Sequence, residues 1–227
     1  QQLSEAQFSV RVTHLPIANL RLLLPLQSNA NSPVTLAGDI NMESKVSVQQ
    51  GEWRMQGKAT AVDVKISHAG DIWMADQISS QFGPVGMGLQ AQDIEQIIAD
   101  NWSYIAAMEP LQPIHSDHAT PSPHKAAWWA SALRNKQVQI QQIKLINGSV
   151  SMGQQESLWA EDFNIQIDDL ATDRQAHITA SAEVGGGVFD LDGEWNALSE
   201  PQRFLGSASL QQALPFFLHS WMTASGM

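Results

Sequence analysis

Residues 137–153 read QVQIQQIKLINGSVSMG. Val138, Ile140, Ile143 and Leu145 give an extended segment, Asn147-Gly148 a tight turn, and Val150 and Met152 a returning strand. Asn-Gly suits a two-residue hairpin because both central residues need positive φ, which asparagine tolerates and glycine adopts freely. The stretch predicts a β-meander. The fold class expected is mainly β (α+β): curved antiparallel β-meander sheets with a few short amphipathic helices, in an arrangement that can leave an open groove.

Working outward towards the C-terminus, strands are expected at 157–168, 177–184, 188–195 and 204–209. Gly185-Gly186-Gly187 falls between two strands, so it reads as a hairpin turn and not as a phosphate cradle. Leu210, Ala213, Leu214, Phe217, Leu218 and Trp221 follow at helical spacing, with Pro215 as a kink or restart. Towards the N-terminus, Phe8, Val10 and Val12 alternate with polar residues, as in a strand buried on one face. Pro16 then opens a helical turn through Ile17, Leu20, Leu23 and Leu24, which Pro25 stops. Strands resume at 34–42, 45–50, 52–56 and 59–67, with bends at Gly51 and Gly57, and another is expected at 73–78.

The middle reads differently. Ile94, Ile97, Ile98, Trp102, Ile105 and Met108 follow helical spacing, with Asp93 and Gln96 placed as a capping pair and Pro110 as the stop. Residues 109–124 form a Pro- and His-rich loop, and Ser122-Pro123 caps a second short helix through Trp128, Trp129 and Leu133. The expected organisation is therefore a β-rich module at 1–91, a helical insertion at 92–136 and a β-meander module at 137–227. Two internal echoes accompany it. Residues 8–20 and 204–214 both read strand then Pro-containing turn, and 51–57 and 187–193 share glycines six apart. They suggest a segment of a longer repetitive array.

Twelve basic against twenty-three acidic side chains give a net charge of −11, which opposes binding to nucleic-acid phosphates and to anionic lipid headgroups. No cysteine is present, which removes disulfides, thiolate metal sites and a cysteine nucleophile. The longest apolar runs, 22–26 and 214–218, are far too short to span a bilayer. With no initiator Met and no leader, the expectation is a soluble piece, either mature or excised.

Few residues announce chemistry. His115, His118, His124 and Asp117 have metal-ligand chemistry but sit in a loop without preorganised geometry, so neither a metal nor a cofactor is expected. Asp168-Asp169 and Asp173 lack the alternating ligands of a calcium loop and read as turn residues. Asp190 and Asp192 read as the polar face of a strand. No Gly-x-Ser-x-Gly or Ser-x-x-Lys motif occurs. The eight tryptophans are the unusual feature. They suit core filling, or the lining of an apolar groove. Trp128 and Trp129 are adjacent on the expected helix, so one of the two rings is expected to be exposed or to meet a partner.

The segments IQQIKLINGSVSMG, LWAEDFNIQIDDL and HITASAEVGGGVFDLDGEW, followed by RFLGSASLQQALPFFLHSW, resemble the AsmA-like family of Gram-negative envelope proteins. The likeness covers 137–227 and, more loosely, 8–66. It implies long periplasmic proteins anchored in the inner membrane, whose curved sheets enclose an apolar groove that carries phospholipid or influences outer-membrane assembly.

Three functions follow as expectations. The first is a non-catalytic periplasmic module that binds or transfers phospholipid or fatty acid. Its groove would be lined by Val46, Val48, Trp53, Met55, Val62 and Val64, with Phe163, Ile165, Ile167, Phe189 and Leu191. The second is a protein-interaction module of an envelope or secretion assembly, using sheet edges and Trp128-Trp129. The third is a glycan-acting enzyme, for which no acid/base pair can be named.

Overall fold

A computed structural model describes residues 5–22, 34–49, 52–68, 70–85, 91–106, 137–152, 157–171, 174–196 and 203–212. The strands are β1 (Glu5–Pro16), β2 (Thr35–Gln49), β3 (Glu52–His68), β4 (Asp71–Val85) and β5 (Ala91–Ala106). They continue as β6 (Gln137–Met152), β7 (Ser157–Ala171), β8 (Ala176–Val184), β9 (Gly187–Asn196) and β10 (Arg203–Gln211). A 3-10 helix at Ile17–Leu22 follows Pro16, as its fixed φ favours, and packs on β2.

The ten strands form one open sheet in sequence order, so the described residues are almost entirely β. Every neighbouring pair is antiparallel except β5 and β6, which run parallel. The sheet is therefore mixed, five antiparallel strands joined by a parallel step to five more. Gly185 and Gly186 both have positive φ and close the two-residue hairpin between β8 and β9, as expected there.

Four expectations are corrected. The stretch read as an amphipathic helix from Asp93 is β5, hydrogen-bonded to β4 on one side and β6 on the other. Asn147-Gly148 is not a hairpin turn, because β6 runs unbroken through it. Asn147 takes φ 54° as part of a β-bulge against β7, and the chain continues. Residues expected as two strands either side of position 43 are one strand, β2, and Gly57 lies inside β3 rather than at a bend. The loop at 109–124, the helix through Trp128 and Trp129 and the helix after β10 lie outside the described residues.

One physical cause underlies the first two corrections. Left-handed residues occur at related positions across the sheet: His14 in β1, Gly38 in β2, Asp63 in β3, Asn101 in β5, Asn147 in β6 and Asp162 in β7. These are residue types that tolerate positive φ. A bulge adds a residue to one strand, so the alternation of faces slips by one. In β5 the residues packed in the apolar clusters are Ile94, Ile97, Ala99, Trp102 and Tyr104. Their spacing of three, two, three, two mimics a helical period.

Candidate functional site

Partners in register across a sheet point to the same side, so continuous rows of side chains can be followed from edge to edge. One row runs Leu15, Ile40, Ala61, Ile78, Ala99, Leu145, Ile165, Ala180, Leu191, Ala208, taking one residue from each of the ten strands. A second runs Val12, Met42, Ala59, Ser80, Ile97, Ile143, Ile167, Ile178, Gly193, Gly206. The rows are apolar apart from Ser80. Between β4 and β9 they carry the two packed clusters, one around Ile140, Ile167, Leu170 and Ala176 and the other around Ala75, Ala99 and Trp102.

The opposite face is mostly polar, with Leu205 at its β10 edge. Its row reads Arg11, Glu43, Lys58, Gln81, Gln96, Gln142, Asp168, His177, Glu194, Leu205. Gln96 Nε2 donates to Gln142 Oε1 at 2.8 Å, and Gln142 Nε2 donates to Asp168 Oδ1 at 2.9 Å. Gln166 Nε2 donates to the second Asp168 oxygen at 2.7 Å. Partial burial acts to raise the Asp168 pKa, but these two amide donors, with the charges of His177 and Lys144, outweigh it and hold the carboxyl below its ordinary value. His177 also lies 3.6 Å from Asp192 and 3.7 Å from Glu194. Arg11 pairs with Glu43, and Gln81 with Glu95. Shallow depressions of about 630 and 470 Å³ lie on this side, the first beside Arg11, Lys45, Lys58 and Glu95, the second beside Lys144, Asn164 and Asp192.

The sequence-predicted groove residues divide as follows. Val46, Val48, Trp53, Met55, Val64, Phe163, Ile165, Ile167, Phe189 and Leu191 share the apolar face through their register partners. Val62 does not. It pairs with Asp39 and Gln77 on the polar side, because left-handed Asp63 shifts the alternation before Val64. Trp128 and Trp129 lie outside the described residues.

Sequence reasoning missed the strongest feature of the apolar face. The rings of Trp102 (β5) and Phe163 (β7) are 5.5 Å apart, and those of Phe163 and Phe189 (β9) 6.4 Å apart in an edge-on arrangement. Alternate strands are roughly 9.5 Å apart, so the rings lean together over the small residues between them, Gly148 and Ala182. A Cβ at Gly148 would overlap the indole of Trp102, which is why β6 carries glycine there. The signal was present as Asn followed by an aromatic or glycine in mid-strand. Trp73 and Tyr104 stand in register beside this group. Burial raises the Tyr104 pKa, and the negative charge of Asp71 and a hydrogen bond to it add to the rise.

No large side chain among the described residues is fully shut off from solvent. Val34 at 3% and Val64, Trp102 and Leu170 at 4% exposure come closest, while Phe8 and Phe204 at the two edges are 51% and 44% exposed. Ser44 Oγ and Trp102 Nε1 are buried on the apolar side without a hydrogen-bond partner. The carboxylates of Asp168, Asp190, Asp192 and Glu194 stand on the face opposite Trp53, Trp73, Trp102 and Trp195. Among the described residues no group of His, Asp and Glu is placed to hold a metal ion, and no helix is long and apolar enough to cross a membrane. Comparison with protein-family models, curated proteins and solved structures finds no match for this chain.

Proposed function

We propose that the chain is a non-catalytic lipid-binding module, whose apolar face holds the acyl chains of a phospholipid or fatty acid. The supporting observation is the pair of apolar rows that cross all ten strands while no large side chain among the described residues becomes fully buried. A sheet with one greasy face must cover it. Acyl chains gain about 0.8 kcal/mol for each methylene taken from water, so a strip of this length suits them. The polar face, with its amide and carboxylate network, stays in water. The resemblance to AsmA-like proteins fits this reading. It adds a periplasmic setting, an inner-membrane anchor elsewhere in the full-length protein, and a part in outer-membrane biogenesis. Native mass spectrometry of protein purified from cells is the test. Bound phospholipid, with saturable uptake of a fluorescent fatty acid, is expected; lipid-free protein that takes up none would refute it.

A second reading, a protein-interaction module of an envelope assembly, draws on the sheet edges. β10 is exposed along almost its whole length and has β9 as its one paired neighbour among the described residues. A crosslinking pull-down that traps one stoichiometric envelope partner, without lipid, would favour it.

A further inference from the structure

The net charge of −11 is spread unevenly over the sheet. β7, β8 and β9 carry no lysine or arginine. β1, β2 and β3 carry Arg11, Lys45, Arg54, Lys58 and Lys65, which match the acids Glu5, Asp39, Glu43, Glu52 and Asp63 in number. Two of these bases are already engaged, Arg11 with Glu43 and Arg54 with Glu52 at 3.7 Å. Lys45 and Lys58 are exposed, and neither has an ion-pair partner among the described residues.

These two lysines share the depression of about 630 Å³ on the polar face. Ser9, Lys45 and Gln56 are in register across β1, β2 and β3, and Lys58 follows Gln56 by two residues, so the four side chains stand on one side. Lys58 is the diagonal neighbour of Lys45, roughly 7–8 Å away, close enough for both ammonium groups to meet one ligand. Register shifts between Met55 and Gly57 against β4, and between Gln81 and Phe82 against β5, bend the strands beside it. Of the two carboxylates at the rim, Glu43 is held by Arg11 and Glu95 accepts from Gln81.

We propose that this depression binds a phosphate monoester group, carried by a free phosphate compound or by a lipid headgroup. The ammonium groups of Lys45 and Lys58, the Ser9 hydroxyl and the Gln56 amide are all donors, and lysine serves phosphate as a point charge. A phosphate monoester brings three terminal oxygens and up to about two negative charges, enough to use both lysines and a neutral donor together. A carboxylate brings two oxygens and one charge. Elsewhere on the polar face Asp168, Asp190, Asp192 and Glu194 repel such a ligand, which leaves the β1–β3 end as the place where it can settle. The site does not rest on what occupies the apolar face.

Calorimetric titration with inorganic phosphate at low ionic strength, where charge is least screened, is the first arm of the test. Saturable binding is expected, weakened about tenfold by Lys58→Gln and likewise by Lys45→Gln. Lys65→Gln takes the same charge from β3 outside the depression, and should bind phosphate as the native chain does. The second arm is flotation with phosphatidylcholine vesicles, with and without phosphatidate. Phosphatidate-dependent flotation that free phosphate abolishes assigns the site to a headgroup; phosphate binding without it assigns the site to a soluble phosphate compound. Equal weakening by Lys65→Gln would overturn the proposal, since bulk charge would then explain the binding. So would the absence of both phosphate binding and phosphatidate-dependent flotation, and fatty-acid uptake on the other face would remain a separate measurement.

Discussion

At the scale of single residues, Gly148 and Asn147 act as a pair. Trp102 lies over Gly148 so closely that a methyl group has no room, and Asn147 supplies the left-handed turn that brings the glycine under the ring. Asn147 Nδ2 donates to Asp100 at 2.9 Å, and its backbone N–H donates to Asn164 Oδ1 at 3.1 Å, which fixes the bulge from both neighbouring strands. Gly148→Ala is therefore expected to cost about 1–3 kcal/mol by overpacking, read in a denaturant titration followed by tryptophan fluorescence. Asn147→Ala should cost about 1–2 kcal/mol, since alanine pays for positive φ and loses the side-chain bond, and Asn147→Gly should recover part of it. Asp168 makes a pH prediction. Its carboxyl is held below the ordinary value in the folded chain, so its contribution is present above the unfolded pKa and lost as pH falls through the folded one. Melting temperature should fall with acidification more steeply in the native chain than in Asp168→Asn. Equal slopes would show that Gln142 and Gln166 do not stabilise the ionised form.

At the scale of strands, the two outright misreadings fall on bulged strands, although the bulged β1, β3 and β7 were legible as strands. β8 and β9 have none between them, their alternation is regular, and they and their Gly185-Gly186 turn were readable from Ile178, Phe189 and Leu191. β5 and β6 carry left-handed Asn101 and Asn147, and both were misread, one as a helix and the other as a hairpin. An inserted residue turns a period of two into alternating threes and twos, and no local pattern separates that from a helical turn. Tertiary pairing decides it. The parallel joint was likewise invisible, because it depends on the order of strands and not on the content of any one of them. Val62 and Val64 test the same point within a single element. Both are valines two apart, which a regular strand would place on one face, but Asp63 separates them. Val64→Asp, at a site 4% exposed, is expected to cost more than about 3 kcal/mol and to abolish cooperative unfolding. Val62→Asp, on the polar side, should stay within about 1 kcal/mol of the native chain. Equal losses would mean that the two side chains share a face after all.

Across the whole molecule, the two faces of one sheet divide the work, and adjacent residues of the same strand can separate them experimentally. Ala180 belongs to the apolar row between Ile165 and Leu191, and Thr179 to the polar side between Gln166 and Asp192. A tryptophan at either position places the same side chain on β8. If acyl chains lie along the apolar rows, Ala180→Trp fills their path, and fluorescent fatty-acid uptake should fall by about tenfold, the equivalent of roughly 1.4 kcal/mol. Thr179→Trp should bind as the native chain does. Circular dichroism and a cooperative denaturant transition in both variants would establish that the sheet survives each change. Equal uptake by the two would place the ligand off the apolar face. Loss in both would point to strand β8 itself rather than to one side of it. The contrast turns on the fact that a β-strand shows successive residues to opposite sides, so a ligand lying on one side meets one of these tryptophans and not the other.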